Sequence, residues 1–138
     1  RRSLMLYFAY GSNLNHFQMK RRCKDSFFIK KYELKGFALN FRSQYRAADI
    51  EKKKNSIVPG GLFEISKSDE KKLDIYEDFP ILYTKMYFDY YNKKVMTYIM
   101  NHKTEFRYPT ERYLNIIKQG YKDCGIDKKY LNKALLNF

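Results

Sequence analysis

A short polar turn near the start of the chain is the first stretch that could carry chemistry. Residues 5–10 are apolar or aromatic, and Gly11, Ser12 and Asn13 follow them directly. The apolar run predicts a strand buried on both faces, and the polar trio predicts a sharp turn. In that turn Gly11 can take a positive φ and allows another backbone or a ligand to come close. Such a turn aims several unpaired backbone N–H groups one way, which suits a carboxylate or a developing oxyanion. From these three residues alone, an ordinary turn without a ligand is an equally good interpretation.

The longer stretch around this turn resembles the signature of a known enzyme family. Residues 7–14 read YFAYGSNL, which is similar to the N-terminal motif of the gamma-glutamylcyclotransferase family. Later segments resemble the second core strand, the catalytic-glutamate segment and the C-terminal helical region of that family, at residues 61–65, 73–77 and 109–131. The resemblance covers residues 6–135, and its first motif is the most specific.

The resemblance implies a reaction that requires neither a metal nor a cofactor. The α-amine of a γ-glutamyl group attacks its own γ-carbonyl, which closes a five-membered ring and releases 5-oxoproline and a free amine or amino acid. The attack is intramolecular, but it needs a base for the amine proton and donors for the oxyanion. Glu77 aligns with the catalytic glutamate of the family, and its neighbours Tyr76 and Phe79 are expected to raise its pKa. Without the resemblance, Glu77 would be interpreted as a surface glutamate at a helix end.

The same resemblance implies a pocket for the γ-glutamyl group. Its lining would come from the first motif and from three tyrosines at positions that resemble pocket tyrosines of the family. A tyrosine hydroxyl there could bind the α-carboxylate or orient Glu77, although packing in the core is an alternative for all three. The predicted substrate-binding residues are Tyr7, Phe8, Ala9, Tyr10, Gly11, Ser12, Asn13, Leu14, Tyr83, Tyr98 and Tyr113.

The net charge of +13 supports a competing hypothesis of a different class. A basic chain can bind nucleic acid or another polyanion, and the same fold could serve such binding without catalysis. The lysines are spread along the chain, however, and both Gly11 and Glu77 are present. We therefore favour a solvated basic surface and a small-molecule γ-glutamyl substrate over nucleic acid. Whether the leaving group is an amino acid or an amine stays open.

Length and composition are those of one domain that spans residues 1–138. The chain is 44% hydrophobic and 18% aromatic, which is enough to bury a core without disulfides or a structural metal. Cys23 and Cys124 have no metal-binding spacing and are interpreted as reduced thiols. We expect residues 1–4 to be a cloning or processing remnant before Met5. No apolar run reaches the ~20 residues that span a bilayer, so we expect a cytoplasmic monomer or homodimer that binds no membrane.

The predicted elements give an α+β fold. Ser66 or Ser68 is expected to cap a helix with Leu73 and Tyr76 on its apolar face. The charged stretch 43–55 is expected to be a loop, with a weak strand at residues 47–50 as the alternative. Strands are predicted at residues 5–10, 27–34, 37–41, 62–65, 83–91 and 95–100, and further helices at residues 13–19, 110–124 and 127–137. By the resemblance, these elements form a small mixed, closed or nearly closed β-barrel flanked by short α-helices.

Overall fold

Five strands form one mixed sheet in the computed structural model, which describes residues 4–136. The strands are β1 (Leu4–Ala9), β2 (Phe27–Arg42), β3 (Ala47–Ser66), β4 (Tyr83–Tyr90) and β5 (Lys93–Met100). Their order in the sheet is β2-β3-β1-β5-β4, with β1 antiparallel to β3 and parallel to β5. β1 is the central strand, and its residues 6–9 are buried, as the apolar run predicts.

The two edges of the sheet meet through aromatic rings. Tyr32 of β2 stacks on Phe88 of β4 with ring centroids 5.7 Å apart, and its ring meets Tyr90 edge-on at 5.5 Å. Rings of this size hold the two backbones farther apart than the ~4.8 Å that hydrogen-bonded strands need. The α+β class is confirmed, but the sheet does not close into a barrel, so that part of the expectation is not confirmed.

A long antiparallel ribbon of β2 and β3 replaces the loop expected at residues 43–55. Residues 47–52 pair with residues 37–42, and only residues 43–46 form a turn. The loop prediction was wrong, and the alternative strand at residues 47–50 is confirmed as part of β3. Ala48 and Ile50 are buried opposite apolar residues of β2, and this packing outweighs the polar composition of the stretch. The two strands predicted at residues 27–34 and 37–41 are likewise one strand, with a register shift beside Gly36.

Between residues 4 and 136, four helices and one 3₁₀ turn flank the sheet. Ser66 caps α2 in a reciprocal capping box with Asp69, Thr110 caps α3, and Gly125 ends α3 with a φ of +73°. The predicted caps at Ser66 and Gly125 are therefore confirmed. The helices are α1 (His16–Arg22), α2 (Lys67–Tyr76), α3 (Glu111–Cys124) and α4 (Lys129–Leu135), and the 3₁₀ turn is Ser12–Leu14.

α3 packs directly on the 3₁₀ turn that follows β1. A Cβ atom at Gly120 would lie only 2.6 Å from the backbone nitrogen of Asn15 and 2.6 Å from the Cβ atom of Leu14. Glycine is therefore required at position 120 for this close approach. The contact fixes the polar turn against the C-terminal half of the chain.

The ends of the chain are described only in part. Residues 1–3 of the expected N-terminal remnant and residue 137 of the last predicted helix lie outside the described residues, whereas Leu4 begins β1. Cys23 and Cys124 are both buried and free, in line with their interpretation as thiols. None of the helices between residues 4 and 136 has the length and apolar character needed to cross a membrane.

Candidate active site

A cavity of about 500 Å³ opens where β1 ends, between the 3₁₀ turn and the C-terminal end of α2. Elements distant in sequence supply its walls, among them the start of β3 and residues of β4, β5 and α3. Nine residues predicted for catalysis or substrate binding line it: Tyr7, Tyr10, Gly11, Ser12, Asn13, Glu77, Tyr83, Tyr98 and Tyr113.

Gly11 allows a close approach of the turn to neighbouring elements. Its φ is −123°, so the turn does not use the positive φ that glycine allows. A Cβ atom at this position would lie 3.1 Å from the Cβ atom of Ala48 and 3.3 Å from the hydroxyl oxygen of Tyr113. Position 11 therefore favours glycine because of space, and a side chain there would push on the cavity wall.

A chain of polar contacts fixes the turn. Asn13 donates from Nδ2 to the hydroxyl of Tyr7 at 3.0 Å and accepts a hydrogen bond from the Arg22 guanidinium. That guanidinium lies 3.4 Å over the ring of Tyr76, and the Tyr76 hydroxyl is 2.8 Å from Oγ of Ser12. The five side chains thus form a continuous series of contacts along one side of the cavity, which leaves little freedom to the turn.

Glu77 stands immediately after α2, where its backbone N–H donates to the carbonyl of Leu73 at 2.8 Å. Its side chain is half-buried and lines the cavity. Within residues 4–136, no group hydrogen-bonds to its carboxylate. Burial raises the pKa of Glu77 to about 8, and the charge of Arg22 partly opposes this increase. The neighbouring Asp78 is exposed and does not contribute to the shift. The site therefore holds a carboxyl group that titrates near neutral pH.

Two of the predicted pocket tyrosines hold the backbone of Ala48. Tyr83 donates its hydroxyl to the carbonyl of Ala48 at 2.6 Å, and the hydroxyl of Tyr113 accepts the N–H of Ala48 at 3.0 Å. Burial raises the pKa of both tyrosines, so their hydroxyls stay neutral at physiological pH. Both residues thus fix the start of β3 at the cavity wall.

The hydroxyl of Tyr98 is engaged in a hydrogen bond and is not free to bind a ligand in the cavity. The hydroxyl donates to Asp74 at 2.6 Å, and Asp74 is paired with Lys85 at 3.0 Å. The backbone carbonyl of Tyr98 accepts the hydroxyl of Tyr10 at 2.6 Å. The two tyrosines therefore present mainly their rings to a bound molecule.

Three of the predicted substrate-binding residues do not line the cavity. Phe8 points to the opposite face of the sheet, where its ring meets Phe88 at 5.7 Å, as the alternation of side chains along a strand requires. Ala9 is buried and registered against Gly61. Leu14 is fully buried in the core beneath α3.

Arg22 is the main site residue that the sequence analysis missed. The predicted binding residues do not include Arg22, but Arg22 lies in the last turn of α1 and contacts the polar turn. Its sequence neighbour Arg21 is exposed and lies over Phe17 instead. The spacing from the buried Met19 is the signal that distinguishes the two, because residues three apart share a helix face.

Comparisons with known proteins show the family to which the chain is similar and the structures that share its fold. The model of the family described as "Gamma-glutamyl cyclotransferase, AIG2-like" matches residues 7–120. A solved structure of the uncharacterized protein loc79017 from Homo sapiens is 27% identical, covers 95% of this chain and 86% of its own, and has a TM-score of 0.78. A structure named gamma-glutamyl cyclotransferase is 26% identical over 96% of this chain and 86% of its own, with a TM-score of 0.77.

A more distant structure, YkqA from Bacillus subtilis, shares the fold alone. It has a TM-score of 0.80 at 19% identity and covers 99% of this chain and 56% of its own. A comparison with curated protein sequences gives no match.

Proposed function

The chain belongs to the gamma-glutamyl cyclotransferase, AIG2-like family, and we propose that it is a gamma-glutamylcyclotransferase. It would release 5-oxoproline from γ-glutamyl amino acids or amines. The observation that carries the proposal is the state of Glu77. Its carboxylate faces a cavity of about 500 Å³, has no hydrogen-bond partner among the described residues, and has a pKa of about 8. A carboxyl group that only held the fold together would be paired and would ionise at lower pH.

Glu77 is proposed to act first as a base and then as an acid. Its carboxylate takes a proton from the α-ammonium group, and the freed amine attacks the γ-carbonyl carbon. The bond to the leaving nitrogen then breaks as Glu77 returns the proton to that nitrogen. The ring nitrogen, which still carries two protons after the attack, gives one of them to the Glu77 carboxylate, and Glu77 passes it on to the released amine. A pKa of about 8 lies close to the ~8 of an α-amino group, so the first proton transfer is nearly balanced in free energy.

The polar turn is proposed to bind the negative charges of the reaction. The first N–H groups of a helical turn have no partner within the turn, and Ser12 and Asn13 supply these groups at the cavity wall. They suit the substrate α-carboxylate or the oxyanion on the γ-carbon. The contacts of Arg22 with Asn13 and Tyr76 hold the turn in place before substrate arrives, so little reorganisation is needed during the reaction.

The test is release of 5-oxoproline from γ-glutamyl-alanine, ε-(γ-glutamyl)-lysine and glutathione. We expect wild type to turn over at least one of them, and the compound with the highest kcat/KM will show which class of leaving group the protein prefers. Glu77→Gln should lower kcat about 1,000-fold, because a positioned base contributes about 100- to 10,000-fold, with KM largely unchanged. Asp78→Asn is the matched control, since it removes the adjacent carboxylate of the same cavity, and it should keep most of the activity.

Two results would contradict the proposal in different ways. Equal turnover by Glu77→Gln and wild type would exclude Glu77 as the base. A folded wild-type protein that releases 5-oxoproline from none of the three compounds would favour the competing hypothesis, in which the fold serves binding alone.

A further inference from the structure

A second concave region, of about 790 Å³, lies between α4 and the β2–β3 ribbon. Four lysines line it, Lys53 and Lys54 from β3 and Lys129 and Lys133 from α4, and we call it the lysine groove. None of its lining residues belongs to the cavity around Glu77. Whatever it binds is therefore bound at a separate site.

An irregularity in the ribbon places the first lysine pair at the groove. Lys35 is registered against Ile57, but Phe37 is registered against Lys52. Four β3 residues, 53–56, therefore stand opposite the single residue Gly36. Such an insertion bends the strand and directs its side chains away from the ladder. This places Lys53 and Lys54 beside α4.

The second lysine pair lies on α4. Lys129 and Lys133 are four residues apart, so they lie one above the other on the same face of the helix. All four lysines of the groove are exposed, and between residues 4 and 136 none of them forms an ion pair. Four unpaired positive charges around one concavity attract carboxylates or phosphates.

The floor of the groove and its one aromatic ring decide between these two kinds of anion. Apolar side chains such as Leu39, Ile57 and Ala134 form the floor. The hydroxyl of Tyr130 donates to Glu33 at 2.9 Å, and the ammonium group of Lys129 lies 5.2 Å from the centre of the Tyr130 ring. A ring engaged in this way offers less surface to a stacked base, and the apolar floor suits the side chains of a peptide better than a sugar-phosphate backbone.

We propose that the lysine groove is a docking site for a short acidic protein segment that also carries apolar side chains. Its carboxylates would pair with the four lysines at the rim, and its apolar side chains would lie on the floor of Leu39 and Ile57. Because the rim pairs are exposed to solvent, they determine specificity and association rate, while the apolar contact limits dissociation.

The experiment measures the anisotropy of a fluorescent peptide in which Glu and Leu alternate, at about 150 mM salt, where long-range attraction is screened. Lys129→Glu combined with Lys133→Glu should weaken binding at least tenfold. The matched control is Lys67→Glu combined with Lys71→Glu on α2, which has the same spacing, exposure and change of net charge, and it should change binding less than twofold. Lys53→Gln combined with Lys54→Gln should weaken binding to an intermediate extent.

The competing ligands are tested on the same variants. Equal weakening by the α4 and α2 pairs, or equal binding of a peptide with Gln in place of Glu, would overturn the proposal in favour of unspecific attraction. The proposal would also be overturned if oligo-dT or phosphatidylserine vesicles bound more tightly than the peptide and only the Lys129→Glu, Lys133→Glu variant lost that binding. All variants should release 5-oxoproline at the wild-type rate. If wild type releases none, the variants should keep the wild-type circular dichroism spectrum. The peptide-binding result therefore does not depend on the proposed activity.

Discussion

The cavity around Glu77 holds its polar side chains in fixed hydrogen bonds, whereas the lysine groove exposes four charges with no ion-pair partner in the described chain. In the cavity, the hydroxyls of Tyr7, Tyr83 and Tyr113 each have a definite partner, whereas the carboxylate of Glu77 has none among residues 4–136. Fixed dipoles around one unsatisfied group suit a chemical step, because little has to reorganise when charge moves. Lysines on flexible stems suit attraction of a charged partner.

The two regions also differ in their effect on the free energy of unfolding. Burial makes the ionised form of Glu77 unfavourable, so the cavity should destabilise the folded protein at neutral pH. The exposed lysines of the groove keep their solvation and carry little such cost. The following predictions test this contrast, beginning with the largest effect.

Removal of the Glu77 charge should stabilise the protein, and more so as the pH rises. The pKa of Glu77 is about 8 in the folded protein and 4.5 in its ordinary state. Between these values only the unfolded chain loses the proton, so the stability of wild type falls as the pH rises from about 4.5 to 8. Glu77→Gln lacks this loss. Its advantage should reach on the order of 3 kcal/mol at pH 8, since each pKa unit is worth about 1.4 kcal/mol and partial exposure reduces the total.

Urea unfolding near pH 5 and pH 8 measures this effect. Asp78→Asn serves as the control, because Asp78 is exposed and should show no advantage that grows with pH. If the free energy of unfolding of Glu77→Gln differed from that of wild type by the same amount at both pH values, the carboxyl group would not be buried as described.

Gly11→Ala should lower kcat/KM about 30-fold, because the new Cβ atom would press on Ala48 and on the hydroxyl of Tyr113 and small displacements of a positioned group are costly. The comparison is Gly36→Ala beside the lysine groove, where nothing lies within 4 Å but φ is +83°. That variant should lose about 1–2 kcal/mol of stability and keep its rate of 5-oxoproline release. Steady-state kinetics and thermal unfolding of both variants distinguish the two effects, and full activity in Gly11→Ala would argue against a crowded turn.

Arg22→Gln should move the acidic limb of the pH–rate profile to higher pH. The Arg22 charge lowers the pKa of Glu77, so its removal leaves more of the carboxyl protonated. We expect about a fivefold lower kcat/KM at pH 7, given that a neighbouring opposite charge shifts a carboxyl pKa by about one unit or more. Arg21→Gln on the same helix is the control, and identical profiles for the two variants would exclude the proposed influence of Arg22.

The smallest effect is expected from the lysine groove. Lys129→Glu combined with Lys133→Glu should change the rate of 5-oxoproline release less than twofold, because α4 does not line the cavity. A larger change in kcat, with the fold intact by circular dichroism, would mean that the lysine groove and the cavity around Glu77 are coupled and do not act independently.

Signals that depend on near neighbours were predicted from the sequence alone. The caps at Ser66 and Gly125 and the strands β1, β4 and β5 follow from residue types within a few positions of each other. Local spacing indicated a strand at residues 47–50 only as a weak alternative, because the pairing that forms the ribbon depends on β2. It could not reveal that the sheet stays open, since Tyr32 and Phe88 meet across the edges only after the sheet curls.

The candidate site divides in the same way. The motif at residues 7–14 and the segment that ends at Glu77 identified the family, because they are local stretches of sequence. The contact of Arg22 with Tyr76 joins residues far apart in the chain, and the close approach that requires glycine at position 11 depends on Ala48 and Tyr113. The raised pKa of Glu77 arises from the burial that all surrounding elements produce together. The sequence by itself thus determined which residues could react, whereas only the tertiary structure decided their contacts, their ionisation and the meeting of the two lysine pairs, because these depend on distance in space.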